Sequence, residues 1–315
     1  MNTIGTIFRF TDFGESHGVA VGGVIDGCPA GLQIDFDAIR TDLDRRAGRV
    51  ESLADTTHIG ISARARREQD EIEWLSGLLD GVTLGTPIAF IIRNTDAREQ
   101  DYESLQDGFR PAHADWTYQH KYGIRDYRGG GRASARETAA RVVAGCIAKQ
   151  LLKKKNIMVT AQIEQVGDKT TQADIRALLE QMRNSNDSIG GIISCTIKNL
   201  PAGIGEPIFD KLPSRLAAAV MSINACKGFD YGSGFEGVSQ CGSKLNQYSG
   251  GALGGISDGT QLRFRTVFKP TPSIGIGGRH DVCIALRAPV IVEAMTAITL
   301  IDLIYSDVNR FLNER

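Results

Sequence analysis

Little in this chain's composition offers an easy handle. Its six cysteines (Cys28, Cys146, Cys195, Cys226, Cys241, Cys283) are scattered, with no C-x-x-C pair. That argues against a disulfide frame or a zinc site and for buried thiols in a reducing compartment. Surplus charge is absent too: 36 Lys and Arg stand against 37 Asp and Glu, a net charge of −1. A chain so balanced has no global field with which to attract nucleic acid or a membrane surface. The most apolar stretch, Ile291 to Tyr305, is broken by Glu293 and Asp302, so it reads as a core helix and not as a membrane span. No signal peptide opens the chain, and the cytoplasm is the expected location. Ser-His-Asp order, metal-ligand spacing, a Walker A loop and a G-x-G-x-x-G turn are all missing in convincing form.

What the chain does have is glycine and arginine. Its 36 glycines in 315 residues exceed the usual share of about 7% and point to tight turns and close backbone approaches. Arginine outnumbers lysine 25 to 11, and six of the arginines fall between Arg110 and Arg141. The two meet in Tyr127-Arg-Gly-Gly-Gly-Arg-Ala-Ser-Ala-Arg-Glu-Thr-Ala-Ala-Arg141. There Ser134-x-x-Glu137 reads as a capping box that starts a helix at about Ala135. A helix start offers unpaired N–H groups and the positive end of the macrodipole. Four guanidinium groups (Arg128, Arg132, Arg136, Arg141) crowd the same turns and match phosphate or carboxylate as two-pronged donors. The segment is expected to form a pocket for a small polyanion. Two plainer readings are a flexible RNA-binding tail and arginines, Arg141 among them, that solvate the helix's outer face.

Strand and helix signals alternate without a linker, so one domain, 1–315, is expected. Asp35 is expected to cap a helix with Phe36, Ile39 and Leu43 on one face and Arg45, Arg46 and Arg49 at its end. Residues 87–93, 159–166, 192–197 and 262–268 read as strands, and 135–155, 174–182 and 288–312 as helices. The decapeptides Gly18–Gly27 and Gly250–Gly259 share six residues, which would fit a duplicated β unit and a pseudo-twofold fold.

Of the five histidines, two keep unusual company. His17 lies in Gly14-Glu-Ser-His-Gly18, where glycines place the ring on a turn. His113 lies in Arg110-Pro-Ala-His-Ala-Asp115, before an aromatic helix. An imidazole titrates near pH 6.5 and is the natural proton donor at neutral pH. His58 and His120 read as structural rings.

These residues carry a resemblance. The Gly14–Gly18 turn, the Arg110–Asp115 loop and Tyr127–Thr138 resemble the N-terminal and central signatures of the chorismate synthase family. Met221-Ser-Ile-Asn-Ala-Cys-Lys-Gly228, Gly250–Gly255, Lys269-Pro-Thr271 and Gly278-Arg-His-Asp281 resemble its later ones. The resemblance runs in order from Ile4 to Met295. It implies an α+β fold, a β-α-β sandwich with helices between two largely antiparallel sheets and a pseudo-twofold internal duplication, in a homotetramer. It implies a lyase that takes phosphate and a ring hydrogen from 5-enolpyruvylshikimate 3-phosphate in an anti 1,4-elimination, giving chorismate, with reduced FMN as cofactor and no metal. By similarity, Arg46, Arg49, Arg110, Arg136 and Arg279 hold the small anionic substrate. His17 supplies a proton as phosphate leaves, His113 sits by the flavin N1, and Asp281 helps move the proton that flavin N5 takes. Arg132, Ala133, Ser134, Asn224, Ala225, Gly254, Lys269, Pro270, Thr271, Pro272, Ser273 and Arg279 match FMN-binding positions. The chain departs from the family's pattern at Ala112, where glycine is usual, in a longer 49–64 and in a shorter 273–279. Two other functions remain open, an NAD(P)H:flavin reductase and a non-catalytic anion- or RNA-binding protein.

Overall fold

The computed structural model describes residues 1–48, 70–95, 106, 108–243, 249–272 and 281–307. In chain order these form β1 (Thr3–Ile4), β2 (Arg9–Phe13), β3 (Ala20–Asp26), α1 (Phe36–Ala47), β4 (Ile72–Trp74), β5 (Leu78–Leu79), β6 (Val82–Thr83), β7 (Ile88–Arg93), α2 (Asp115–Tyr122) and α3 (Thr138–Lys154). There follow β8 (Met158–Val166), α4 (Gln172–Asn184), β9 (Gly191–Lys198), α5 (Leu212–Met221), β10 (Cys226–Tyr231), β11 (Ala252–Leu253), β12 (Ile256–Ser257), β13 (Leu262–Phe268) and α6 (Ala288–Asp307). One sheet has the order β1-β2-β3-β7-β4 and another β10-β13-β9-β8, with two small hairpins, β5-β6 and β11-β12. Every paired strand is antiparallel.

The helices α3 and α6 lie between the sheets. α3 packs on β3 and its neighbours, α6 packs on β8 and β9, and the two helices pack on each other. At their crossing a Cβ on Gly145 would lie 2.2 Å from the Cβ of Ala294, so only glycine lets the backbones approach this closely. From Ala288 to Ile304 every residue of α6 is buried. Its sequence is long and apolar enough to cross a membrane, but 83% of the most apolar window is covered by the protein itself. The acids that interrupt it have built-in partners. Glu293 accepts from Arg45 Nη1 at 2.8 Å, Lys149 Nζ at 3.0 Å and the Ala161 N–H at 3.0 Å. Asp302 accepts from the Thr6, Ile7 and Phe8 N–H groups and from Arg215. A buried carboxylate is tolerable only with such donors, and these tie α6 to the N-terminal end of the chain and to α1, α3, β8 and α5.

Local signals decide most element ends. Asp35 caps α1 by accepting from the Ala38 N–H, and Gly48 closes it with φ 72°, as capping chemistry demands. The expected start of α3 is only half right. Ser134 accepts from the Arg136 N–H, but Ala135–Glu137 form a turn of 3₁₀ helix before the α-helix begins at Thr138. Glu137 bonds forward to Arg141 at 2.8 Å, so the reciprocal half of the capping box is not made. The end of the 288–312 helix beyond Asp307 lies outside the described residues.

The decapeptide echo is corrected. Gly18–Gly27 is mostly the long strand β3, whereas Gly250–Gly259 is the hairpin β11-β12. The internal duplication is real but runs through other residues. Pro29-Ala-Gly-Leu32 after β3 matches Pro201-Ala-Gly-Ile204 after β9. Thr83 Oγ1 accepts from the Leu32 N–H at 2.9 Å and donates to the Pro29 carbonyl at 2.6 Å. Ser257 Oγ makes the same two bonds, at 2.9 and 2.6 Å, to Ile204 and Pro201. Glycine-rich segments match by composition alone; a shared bonding pattern is the stricter criterion.

Candidate active site

The turn between β2 and β3 carries His17, which is 9% exposed. Ser16 Oγ lies 3.0 Å from its Nδ1 and donates to the Gly129 carbonyl at 3.3 Å, while the Ser16 N–H reaches the Gly131 carbonyl at 3.4 Å. Against this ring runs the three-glycine loop. A Cβ on Gly129 would stand 1.9 Å from the imidazole Cε1, so the glycine is needed for the loop to pass over the histidine. Asn94, just past β7, donates to the Glu15 and Gly18 carbonyls, each at 2.9 Å, and clamps both ends of the His17 turn.

The arginines converge on the same place, but each arrives with an acid. Arg136 Nε bonds Asn94 Oδ1 at 2.8 Å, and its Nη1 bonds Asp70. Arg46 Nη2 reaches the other oxygen of Asp70 at 2.7 Å. Burial alone would raise the Asp70 carboxyl, but Arg46 and Arg136 outweigh it and hold it down at about 2. Arg110 grips Asp115 through Nε and Nη2, both at 2.8 Å, and its Nη2 lies 3.4 Å from where a Cβ on Gly130 would be. Arg132 reaches Asp12 at 3.1 Å and the Gly14 carbonyl at 2.9 Å. Arg141 bonds Glu137 and, at 2.8 Å, Ser222 Oγ. It lies inward, so the solvated-face reading fails for it. The flexible-tail reading fails too, since Gly131–Ala133 form an ordered turn whose Gly131 is buried.

The sequence displays the cations that bind anions but not these acids or Asn94 as their partners. One signal was available: guanidinium groups gathered in a buried region need counter-charges to be tolerated there. Nothing in the sequence said which acids would serve.

His113 is half-buried before α2, its N–H bonded to the Arg110 carbonyl at 3.3 Å and its Nδ1 2.9 Å from the Pro111 oxygen. Ala112 beside it has φ 57°, a left-handed conformation that favours glycine. His120 stacks on Trp116 with ring centroids 5.1 Å apart, as a structural ring would.

The segments matched to flavin-binding positions are drawn together from across the chain. Asn224 Nδ2 donates to the Ala133 carbonyl at 3.1 Å, and the Lys269 N–H donates to the Ala225 carbonyl at 3.0 Å. Ala225 has φ 66°. Two oxygens in this wall, Asn224 Oδ1 and Thr271 Oγ1, are buried with no hydrogen-bond partner among the described residues. Such orphan groups fit a site made for a polar ligand such as a flavin. Pro270 and Pro272 flank Thr271, whose carbonyl accepts from Ser188 Oγ at 2.7 Å. Just beyond, the Ile189 N–H donates to the Val282 carbonyl at 2.9 Å, so the chain returns beside its point of departure. Asp281 stands there, paired with Arg287 at 3.2 Å. Gly254 is not brought to the wall. It lies in the β11-β12 turn, whose Gly255 carbonyl accepts from Leu212 at the N-terminal end of α5, roughly 15 Å of helix from Asn224. Arg49, Ser273 and Arg279, like His58, lie outside the described residues.

Known proteins share this sequence and fold. Residues 8–305 match the family model described as Chorismate synthase. A protein of Cytophaga hutchinsonii named Chorismate synthase is 45% identical, with 96% of each chain covered. One of Porphyromonas gingivalis with the same name is 45% identical, over 96% of this chain and 95% of its own. A solved structure titled Crystal Structure of Chorismate Synthase superposes with a TM-score of 0.77 at 27% identity, covering 97% of this chain and 94% of that one. With the sandwich fold, the ordered motifs and relatives this similar over nearly the full length, the chain belongs to the chorismate synthase family.

Proposed function

We propose that this lyase converts 5-enolpyruvylshikimate 3-phosphate to chorismate and phosphate in the pocket between the His17 turn, the Gly129–Arg136 loop and the Ala133–Asn224–Lys269 wall. Arg46, Arg110 and Arg136 hold the anionic groups of the substrate, with Asp70, Asp115 and Asn94 keeping the guanidinium forks aimed. Charge-assisted, two-pronged contacts of this kind gain strength where water is excluded. His17, fixed by Ser16 and pressed under Gly129, is placed to give a proton to the departing phosphate. Reduced FMN, when bound, supplies an electron-rich ring against which the ring hydrogen is lost without net redox change. Arg132, Ala133, Ser134, Asn224, Ala225 and Lys269 to Thr271 hold it, and His113 and Asp281 serve proton traffic at its edges. The same reading takes the enzyme as a cytoplasmic homotetramer.

The observation that carries the reading is the pair of hydrogen bonds, Asn224 to Ala133 and Lys269 to Ala225, that join three segments far apart in sequence. The test is an anaerobic assay with dithionite-reduced FMN and 5-enolpyruvylshikimate 3-phosphate. Chorismate absorbance and released phosphate are expected to rise together. Consumption of NAD(P)H without phosphate release would make the chain a flavin reductase instead. In parallel, Lys269→Ala is expected to weaken FMN binding by about 1.5–3 kcal/mol, the worth of a charged hydrogen bond, as read by fluorescence titration.

A further inference from the structure

Beneath the Gly131–Ala133 turn lies a pair of acids that the reaction above does not use. Asp12, on β2, and Glu137, at the head of α3, are 6% and 2% exposed. Both carboxyl groups lie against the same Arg141 nitrogen and are close neighbours, and Asp12 raises the Glu137 carboxyl. Arg141 Nε touches both, at 2.8 Å to Glu137 Oε2 and 3.7 Å to Asp12 Oδ2. Arg132 binds the other oxygen of Asp12. What remains is one oxygen on each acid, Asp12 Oδ2 and Glu137 Oε1, both buried and both without a hydrogen-bond donor among the described residues. Two buried carboxylates facing each other with undonated oxygens repel strongly; a single proton placed between them removes the repulsion and satisfies both atoms.

We propose that Asp12 and Glu137 hold one proton between them, with Glu137 the neutral partner, and that this proton sets the positive charge Arg132 presents to an anionic ligand. With Glu137 neutral, Arg132 and Arg141 face one buried carboxylate, Asp12, with Glu15 acting on Arg132 at longer range. Ionising Glu137 lowers the charge of the cluster by one. The charged and titratable groups around Glu137 are Asp12 from β2, Arg132 from the turn before the helix, Arg141 from α3 itself and, at longer range, Tyr118 from α2. Burial raises the Glu137 carboxyl, Arg141 opposes and Asp12 adds to the rise, leaving it at about 8. The acid is therefore neutral below about pH 8 and charged above it, so affinity for an anion beside Arg132 falls as pH rises through that value. Linkage is reciprocal: a bound anion in turn favours the protonated pair. The ligand half of this proposal rests on the flavin reading above, with the FMN phosphate or the anionic ring as the ligand; the shared proton stands without it.

Infrared spectroscopy of flavin-free protein labelled with ¹³C in the glutamate side-chain carboxyls reads the proton directly. At pH 6 an isotope-shifted C=O band of a protonated acid is expected. It should be missing in Glu137→Gln and should fade as pH rises through about 8. It should also vanish in Asp12→Asn, where Glu137 ionises against two arginines. A wild-type spectrum without the band, or a band untouched in Asp12→Asn, overturns the shared proton. Titration of oxidised FMN from pH 6 to 9 then reads the ligand. Wild-type affinity should fall about tenfold, the order expected for one charge several ångströms away at the effective dielectric of a protein surface, and Glu137→Gln should show a shallower fall. Equal slopes in the two proteins overturn the link to the ligand, while complete absence of FMN binding sinks the flavin reading and with it that link.

Discussion

Set side by side, the two halves of this molecule share a scaffold and divide the chemistry. The strand order β2-β3-β7-β4 in one sheet repeats as β8-β9-β13-β10 in the other. A Pro-Ala-Gly turn follows β3 and β9, a helix follows each turn, and a hairpin hydroxyl, Thr83 or Ser257, locks each turn with two hydrogen bonds. A turn of 3₁₀ helix leads into α3, and another, Ile284–Arg287, leads into α6. The connections differ. Between β2 and β3 runs a tight turn holding His17; between β8 and β9 the chain makes α4 instead. After β7 a long excursion carries Arg110, His113 and the three-glycine loop, while the segment after β13 brings Lys269 and two prolines. The first half thus brings the site its buried charge (Asp12, Arg46, Asp70, Asp115, Arg136, Glu137), and the second brings it mainly amide, hydroxyl and backbone groups, its own buried acids Glu293 and Asp302 lying in the core. The strand pairs that hold the scaffold are the same in both halves, and the site is built from the loops that are not.

The largest expected effect breaks the comparison at the β2–β3 turn. His17→Ala should lower turnover by roughly 10²–10⁴, the usual contribution of a positioned acid, or about 3–5 kcal/mol of barrier. Arg176→Ala, on the exposed face of α4 in the matching connection, should leave turnover near wild type. Steady-state assay of both variants checks the pair; near-normal turnover in His17→Ala removes the acid role.

A smaller effect sharpens the comparison where the halves agree. Thr83→Val and Ser257→Ala each strand a buried N–H and a carbonyl, a loss of about 1–3 kcal/mol. Urea denaturation should show similar costs for the two changes. A clear loss in one and none in the other would mean that the shared bonding pattern does not carry shared energetics.

The smallest effect concerns a local departure in the first half alone. Ala112→Gly relieves a residue at φ 57°, against the extra chain entropy that glycine loses on folding. The net gain should be up to about 1 kcal/mol. Thermal denaturation reads it, and a lowered midpoint would mean that the neighbouring His113 loop needs the methyl group.

Much of the framework was legible before any coordinates, because it rests on short-range physics. The Asp35 cap, the closing Gly48, the strand at 262–268, the buried face of α3 and the core character of 291–305 all follow from neighbouring residues. The ordered motifs were legible too, and with them the family. The identity of the counter-ions was not. Asp70 pairs with Arg46 and Arg136, and Asp12 with Arg132, across separations that no local pattern encodes. The glycine decapeptides do not carry the duplication for a related reason: β3 and the β11-β12 hairpin are alike in composition but paired differently, and pairing is a long-range choice. The amino-acid sequence by itself determined where helices begin, which faces are apolar and that cationic groups gather near a glycine loop, since these depend on periodicity, capping and backbone freedom. Only the tertiary structure decided that His17 lies under Gly129, that Asn224 and Lys269 close a wall with Ala133, and that Glu137 faces Asp12. Those contacts join segments far apart in sequence, and their energies depend on burial and distance, which exist only once the chain has folded.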